Sequence, residues 1–335
     1  MKIKKFVFLV CVGAFLNLYA SAAADNLQSL LSFETARTFA RLLMPENLDT
    51  AKGVDDSDES YVQVMEGASL ESITRQAKFL AETSEVRQLG SISDLYYGIF
   101  EKGSSSIVGI FRVWNLETKG FLLTSIKFHR NQQGKGYATE FKKELFKRYQ
   151  SIGLIPTFKD DLSVPYRGFW GAIQITNKSS LAYNVKCGCR IGSICGNTVN
   201  VYYPFVIKGS CGGIPELDES SHSSVVEQLV SYRSGSKEAE RSLRSIALQN
   251  LLSYGKGELG KVLAGDSLFL AQTLTEFPDM WDLIPAINKD MVAGVIYAEI
   301  AFLIEQKASS NPGAAEILGA ALFKQITAAT TAKSK

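Results

Sequence analysis

The sequence predicts a mixed α/β domain built on a bent sheet, followed by an all-α domain. Three observations carry that prediction. Short β-patterned runs bounded by Gly, Ser or Lys are confined to the first 208 residues. Within them, an apolar run at 120–128 passes through a Gly-rich turn into an amphipathic stretch at 136–149. Beyond the Gly/Pro/Ser-rich segment 209–224 the strand signals vanish and helical periodicity takes over.

The elements follow in order. Residues 1–24 pair a basic start (Lys2, Lys4, Lys5) with a short apolar core and the small residues Ala20, Ser21, Ala22, Ala23 and Ala24. That is the layout of a secretory signal peptide, so an exported protein is expected. The apolar core is short for a membrane span, and Cys11 follows Leu9-Val10 rather than a small residue, which argues against a lipoprotein. The formal charge of +2 drops to −1 once the three lysines leave with that segment, so nothing suggests a nucleic-acid binder. Residues 25–48 lead into a first strand, and 49–85 turns helical around the acidic cluster Asp55, Asp56, Asp58 and Glu59. Strands are predicted at 96–101, 106–115 and 120–129, and a helix then runs to about Ser151 with Phe141, Leu145 and Tyr149 on one face. A strand at 166–175, a helix at 177–186 and a strand pair at 191–208 turning at Gly196-Asn197 complete a domain over 25–208. Residues 209–224 read as a linker to a helical domain over 225–335, with helices at 224–252, 258–276, 279–307 and 314–327 punctuated by Pro278 and Pro312. The apolar stretch 291–304 is short and contains Glu299, which fits a buried helix better than a membrane span.

The chemistry concentrates in RNQQGKGYATE, Arg130 to Glu140. A strand, a Gly-rich turn and a helix start point backbone N–H groups at one spot, where a pyrophosphate can sit in the field of the helix dipole. Gly134 and Gly136 let the main chain approach an anion closely. A dinucleotide fingerprint would need a third Gly where Thr139 stands, and a Walker A loop fails because Gly136 follows Gly134-Lys135. The order Gln133, Gly136, Ala138 fits the Q/R-x-x-G-x-G/A loop of the GNAT (general N-acetyltransferase) superfamily. GKGYATE resembles the branch that acetylates ribosomal-protein N-termini and small amines. Thr35-Ala36-Arg37 with Leu42 and Pro45 looks like that branch's first strand, and Gly98-Ile99-Phe100 and Ile107-Val108-Gly109 are similar to its second and third. Asn177, Ser180, Lys186 and Gly188 sit at the spacings of its later helix, with Cys189 where the family has Phe. The match covers residues 33–208.

The resemblance implies acetyl-CoA as substrate, an amine acceptor (protein N-terminus, lysine or small amine) and no metal. It implies coenzyme contacts from Phe128, Arg130, Asn131, Gln132, Gln133, Gly134, Lys135, Gly136, Tyr137, Ala138 and Thr139, and from Asn177 to the pantetheine arm. Residues 125–128 would lie beside the reacting carbon, and Ser180 near the departing thiolate as proton donor. Many members use a Tyr four residues before the Gly of that helix; Asn184 fills that slot, so Tyr183, about 100° away on a helix, is the fallback. Asn177 and Ser180 fit helix capping equally well. His129 and Glu117 are weak base candidates beside a loop and a turn. The acidic cluster at 55–59 would attract a cationic amine or simply face solvent. Cys187, Cys189, Cys195 and Cys211 have the even count of disulfides in an oxidising compartment, while free thiols would suit a reducing cytosol. Export sits awkwardly with a cytosolic donor. The protein either acts in another cell's cytosol or is a non-catalytic effector that keeps the fold and engages a partner protein through its helices.

Overall fold

The computed structural model describes residues 32–46, 48, 69–82, 92, 94–104, 106–114, 116–117, 120–157, 164, 166–204, 210–211, 214–215 and 217–308. The expected signal segment at 1–24, the acidic cluster at 55–59 and the helix at 314–327 lie outside the described residues. The chain divides into two compact units. One comprises Met1–Gly171, Lys186–Cys189 and Tyr202–Phe205; the other comprises Ala172–Val185, Arg190–Val201 and Val206–Lys335. The chain therefore changes unit five times along its length.

The first unit is a sheet covered on both faces. Strands β1 (Ser32–Glu34), β2 (Thr38–Leu42), β3 (Asp94–Glu101), β4 (Ile107–Trp114) and β5 (Phe121–Phe128) lie side by side in chain order. Each is antiparallel to the next. A short 3-10 turn (Arg130–Gln132) and helix α2 (Tyr137–Ser151) follow, and the chain returns as β6 (Gly168–Gln174), parallel to β5. Strand alternation sorts the core into two layers. On one face Tyr97 and Phe111 meet Phe33 and the α2 residue Phe141. On the other, Tyr96, Phe100 and Ile110 pack with Leu43 and with Ile73 of α1 (Leu70–Glu82). The buried amide of Gln76 in α1 donates to the Leu43 carbonyl at 2.8 Å and accepts from the Tyr96 N–H at 2.9 Å, satisfying backbone that a helix–sheet contact would otherwise strand. Thr35-Ala36-Arg37, expected in the first strand, instead forms the turn between β1 and β2. The Thr35 hydroxyl accepts the N–H groups of Arg37 and Thr38 at 3.3 and 3.0 Å, a local bond that competes with extended structure. At the start of β6, Gly168 has φ +141, and a Cβ there would lie 2.2 Å from the Tyr203 carbonyl oxygen.

The second unit holds α3 (Lys178–Lys186) as far as Val185, β7 (Arg190–Cys195) paired with β8 (Thr198–Tyr203, in this unit as far as Val201), a small ladder of β9 (Ser210–Cys211) and β10 (Ile214–Pro215), and five helices among the described residues. The helix expected at 224–252 is two: α4 (Glu219–Arg233) and α5 (Lys237–Leu252). Gly235 at φ +95 breaks them, and the Ser236 hydroxyl caps α5 by accepting the Ala239 N–H at 3.2 Å. α4 starts before the expected linker ends because Asp218 caps it, accepting the Ser221 N–H at 2.7 Å. The helix expected at 258–276 is also split, into α6 (Lys256–Gly265) and α7 (Ser267–Glu276), by Asp266. Its carboxylate takes the Asn197 N–H at 3.0 Å at the β7–β8 turn, a contact no local pattern announces. A 3-10 stretch (Pro278–Leu283) leads into α8 (Ala286–Ala308), whose Val292, Ile296 and Ile300 are buried. Glu299 accepts the Ser267 hydroxyl at 2.6 Å. No helix among the described residues is long and apolar enough to cross a membrane. Between α5 and α7, the buried Arg244 guanidinium donates to Glu240 Oε1 and to Thr273 Oγ1, both at 3.0 Å.

Candidate functional site

The main chain builds the site. β5 runs in register with β4 to its last rung, Gly109↔Phe128, and the His129 N–H continues the ladder to the Val108 carbonyl at 3.0 Å. On its other side β5 pairs with β6 in parallel from Phe121↔Gly168 to Leu123↔Trp170. Residues 124–128 stay in register with β4. Trp170 stands at the last rung, with a buried indole N–H that has no partner among the described residues.

Immediately after β5 the backbone folds into a nest of donors. The Gln132 N–H bonds the His129 carbonyl at 2.8 Å and the Gln133 N–H bonds that of Arg130 at 3.4 Å. Gly134 at φ +78 and Gly136 at φ +84 then turn the chain into α2 through left-handed backbone that a residue with a Cβ adopts at a cost. Gly136 is the helix N-cap, with no side chain of its own to bond the first turn. Its carbonyl accepts the N–H groups of Thr139 and Glu140 at 3.1 and 3.2 Å. The N–H groups of Gly134, Lys135, Gly136, Tyr137 and Ala138 bond no protein atom among the described residues. Five consecutive amides at the start of a fifteen-residue helix are thus left unspent among the described residues.

Side chains brace the nest. Gln133, expected at the coenzyme, reaches back to donate to the Phe128 carbonyl at 3.0 Å and so pins the loop to the end of β5. Lys135 donates to Gln132 Oε1 at 2.6 Å across the exposed turn, where Arg130 and Asn131 also lie. Tyr137 is buried against Phe128 with ring centroids 6.1 Å apart, and its hydroxyl donates to Glu101 Oε1 at 2.8 Å; that bond raises its pKa. Ala138 is half-buried, and the Thr139 carbonyl accepts the Cys187 thiol at 3.7 Å. Cys187 and Cys189 form no disulfide among the described residues; burial pushes Cys187 up to about 12 and raises Cys189 as well. Cys195 forms no disulfide among the described residues either, and the Cys211 side chain lies outside them.

One residue that sequence reasoning did not place at the site stands beside it. Arg37, on the β1–β2 turn, puts Nη2 3.2 Å from the position a Cβ on Gly136 would take. Its guanidinium lies over the Tyr137 ring at 4.7 Å and donates through Nε and Nη2 to Glu140 Oε1 at 2.9 and 2.6 Å. The only sequence signal was its place in the Thr35-Ala36-Arg37 string. On the α1 face of the sheet, register sets Ser125 opposite Arg112 and Leu123 opposite Trp114. Arg112 donates to Asp94 Oδ1 at 2.8 Å and lies over the Trp114 and Tyr96 rings at 4.8 and 5.4 Å.

The other expected site residues form a cluster of their own in the second unit. Asn177 Oδ1 accepts the Ser180 N–H at 3.0 Å, so Asn177 caps α3 and Ser180 sits in its first turn. The Ser180 carbonyl takes the Asn184 side-chain amide at 2.8 Å, and Tyr183 is half-buried on the same helix. Glu117 is exposed in a turn. Among the described residues no group of three or more His, Cys, Asp or Glu is arranged to hold a metal ion.

No family model matches the chain, and no curated relative does. Solved structures similar to it include a ribosomal-protein-S5-alanine acetyltransferase from Vibrio fischeri, at 12% identity and a TM-score of 0.36, over 51% of this chain and 93% of that one. A GNAT-family acetyltransferase from Bacillus anthracis is 16% identical with a TM-score of 0.33, over 51% and 95% of the two chains. A variant of the spermidine N-acetyltransferase of Vibrio cholerae is 12% identical with a TM-score of 0.33, over 49% and 92%.

Proposed function

We propose that the protein transfers an acetyl group from acetyl-CoA to an amine. The observation that carries this reading is the run of five unspent amides from Gly134 to Ala138, at the turn from β5 into α2. A coenzyme A diphosphate would take those amides in the positive field of the α2 start. Its pantetheine arm would lie along residues 124–128 at the end of β5. There the neutral amine attacks the thioester carbon. The carbonyl oxygen gains charge and the C–S bond breaks. The thiolate leaves, takes a proton and departs as coenzyme A, while the amine loses a proton and becomes an amide. On the α1 face, register sets Arg112 opposite Ser125 and Ile110 opposite Lys127 in that stretch, and Arg112 in turn bonds Asp94.

Ser180 and Tyr183 remain the proposed proton donors and Asn177 the proposed pantetheine contact. The acceptor class is a protein N-terminus, a lysine or a small amine. Export through the segment 1–24 belongs to the same reading. A second reading, a non-catalytic effector that engages a protein through its helices, is favoured by one observation. Ile287, Met291 and Phe302 on α8 are 70%, 42% and 53% exposed, more apolar surface than a lone helix edge needs.

Calorimetric titration of the reduced, full chain with acetyl-CoA tests both. The transferase reading expects a dissociation constant on the order of micromolar, lost in Gly136→Asp, and thiol release with an amine panel. Failure of the folded wild type to bind ends it. Binding with no thiol release from any amine or peptide favours the effector.

A further inference from the structure

We infer that Arg37 is a positioning residue for the bound diphosphate and acts through Glu140, neutralising a carboxylate that would otherwise share the helix start with the ligand's charge. The inference rests on the coenzyme reading above.

Glu140 lies in the first turn of α2, its N–H on the Gly136 carbonyl at 3.2 Å. A carboxylate there suits the helix dipole while the loop is empty. A diphosphate on the preceding amides changes the balance, because two anions then draw on one field and repel each other. Arg37 comes from 103 residues earlier and meets this conflict at its source. Both Nε and Nη2 donate to the same oxygen, Glu140 Oε1, while Nη2 stands 3.2 Å from the Gly136 Cβ position. The carboxylate oxygen is therefore no farther from that point than those two short distances laid end to end. The pair is also held in pose. Thr35 Oγ1 donates to Glu140 Oε2 at 3.4 Å, and the guanidinium rests on the Tyr137 ring, itself tethered to Glu101.

Exposure rules out stability as the main return on this arrangement. The Arg37 and Glu140 side chains are 45% and 32% exposed, and ion pairs so open to water stabilise a fold very little. Their effect on a charged ligand docking beside them is larger, because the ligand brings its own negative charge and excludes water.

The test is a double-mutant cycle read by coenzyme A affinity, with R37Q, E140Q and R37Q/E140Q measured at low and high salt. R37Q is expected to weaken binding about tenfold at low salt, and less at high salt as screening sets in. E140Q is expected to tighten it by up to about threefold, and the double variant to return to within about threefold of wild type. A merely structural pair would shift the melting temperatures of both single variants without giving affinity effects of opposite sign. A double variant as weak as R37Q means that Arg37 touches the phosphates itself and overturns the inference. So does R37Q with unchanged affinity, or E140Q that weakens binding. Should R37Q not fold, E140Q decides alone: tighter binding supports the inference, while equal or weaker binding ends it. A wild type that does not bind coenzyme A takes the coenzyme reading down with it, a result distinct from a wild type that binds and variants that do not differ.

Discussion

Two ion pairs, one from each unit, hold their charges in opposite surroundings. Beside the nest, Arg37 and Glu140 form an ion pair that is roughly half open to water. In the helical unit, Arg244 and Glu240 form one that is 5% and 7% exposed, shared with Thr273 and bordered by Glu276. A pair open to solvent can exchange partners when a ligand arrives. A buried pair cannot, since stripping water from either charge is repaid only while both partners stay in place. The first unit therefore keeps adjustable charge where a ligand is proposed to land, and the second uses charge to fix how its helices meet.

Five experiments press on that contrast, from the largest effect to the smallest. Arg244→Ala removes the buried partner of Glu240 and leaves it as ion partner only the exposed Lys237 at 3.2 Å, and should cost about 3 kcal/mol in urea unfolding followed by helical circular dichroism. A cost below about 1 kcal/mol would erase the distinction between the two pairs. The same network sets an acid limb. Burial pushes the Glu240 carboxyl up, but Arg244 and Lys237 outweigh it and hold its pKa below the usual value. A carboxyl depressed in the folded state stabilises above its unfolded pKa, and that stability is lost as pH falls through the folded value. Helix signal should accordingly fade in acid, and Glu240→Gln should flatten that part of the titration.

Next comes Gly168→Ala. At φ +141 with the Tyr203 carbonyl in its path, the new methyl should cost about 2–3 kcal/mol in thermal or urea melts. A smaller cost would mean that the start of the parallel ladder is as adjustable as the Arg37 pair. Asn177→Ala should cost about 1 kcal/mol through loss of the α3 cap, and Asn177→Asp should restore it. If coenzyme A affinity in Asn177→Ala falls more than tenfold while the Asp variant stays stable but equally weak, the side chain does more than cap. Last, Arg75→Ala removes an i,i+4 pair whose members are 59% and 82% exposed, and should change stability by less than about 0.5 kcal/mol.

What could be read from the sequence follows the range of the interaction concerned. The strand, loop and α2 were legible because apolar runs, two glycines and helical spacing are written within thirty residues of one another. The caps of α3 and of α5 were legible in principle for the same reason. Arg37 was not, since its partner lies 103 positions away and nothing local marks an arginine in a turn. The break at Asp266 was hidden likewise: its reason is the Asn197 N–H, 69 residues upstream. The break at Gly235 was visible as Ser-Gly-Ser, but the apolar spacing on either side continued through it and masked it. Gln133 shows a subtler gap, because its place in the loop was readable while its job, bracing the Phe128 carbonyl, was not.

The repeated passage of the chain between the two units has a practical corollary for anyone trimming this gene. No stop codon or protease cut at a single position separates the halves, because 186–189 and 202–205 belong with the sheet while 172–185 and 190–201 belong with the helices. A truncation near residue 208 would strip the helices from the residues that precede them and leave those stretches without their neighbours. Along the chain, the segments of the two units thus alternate rather than follow one after the other.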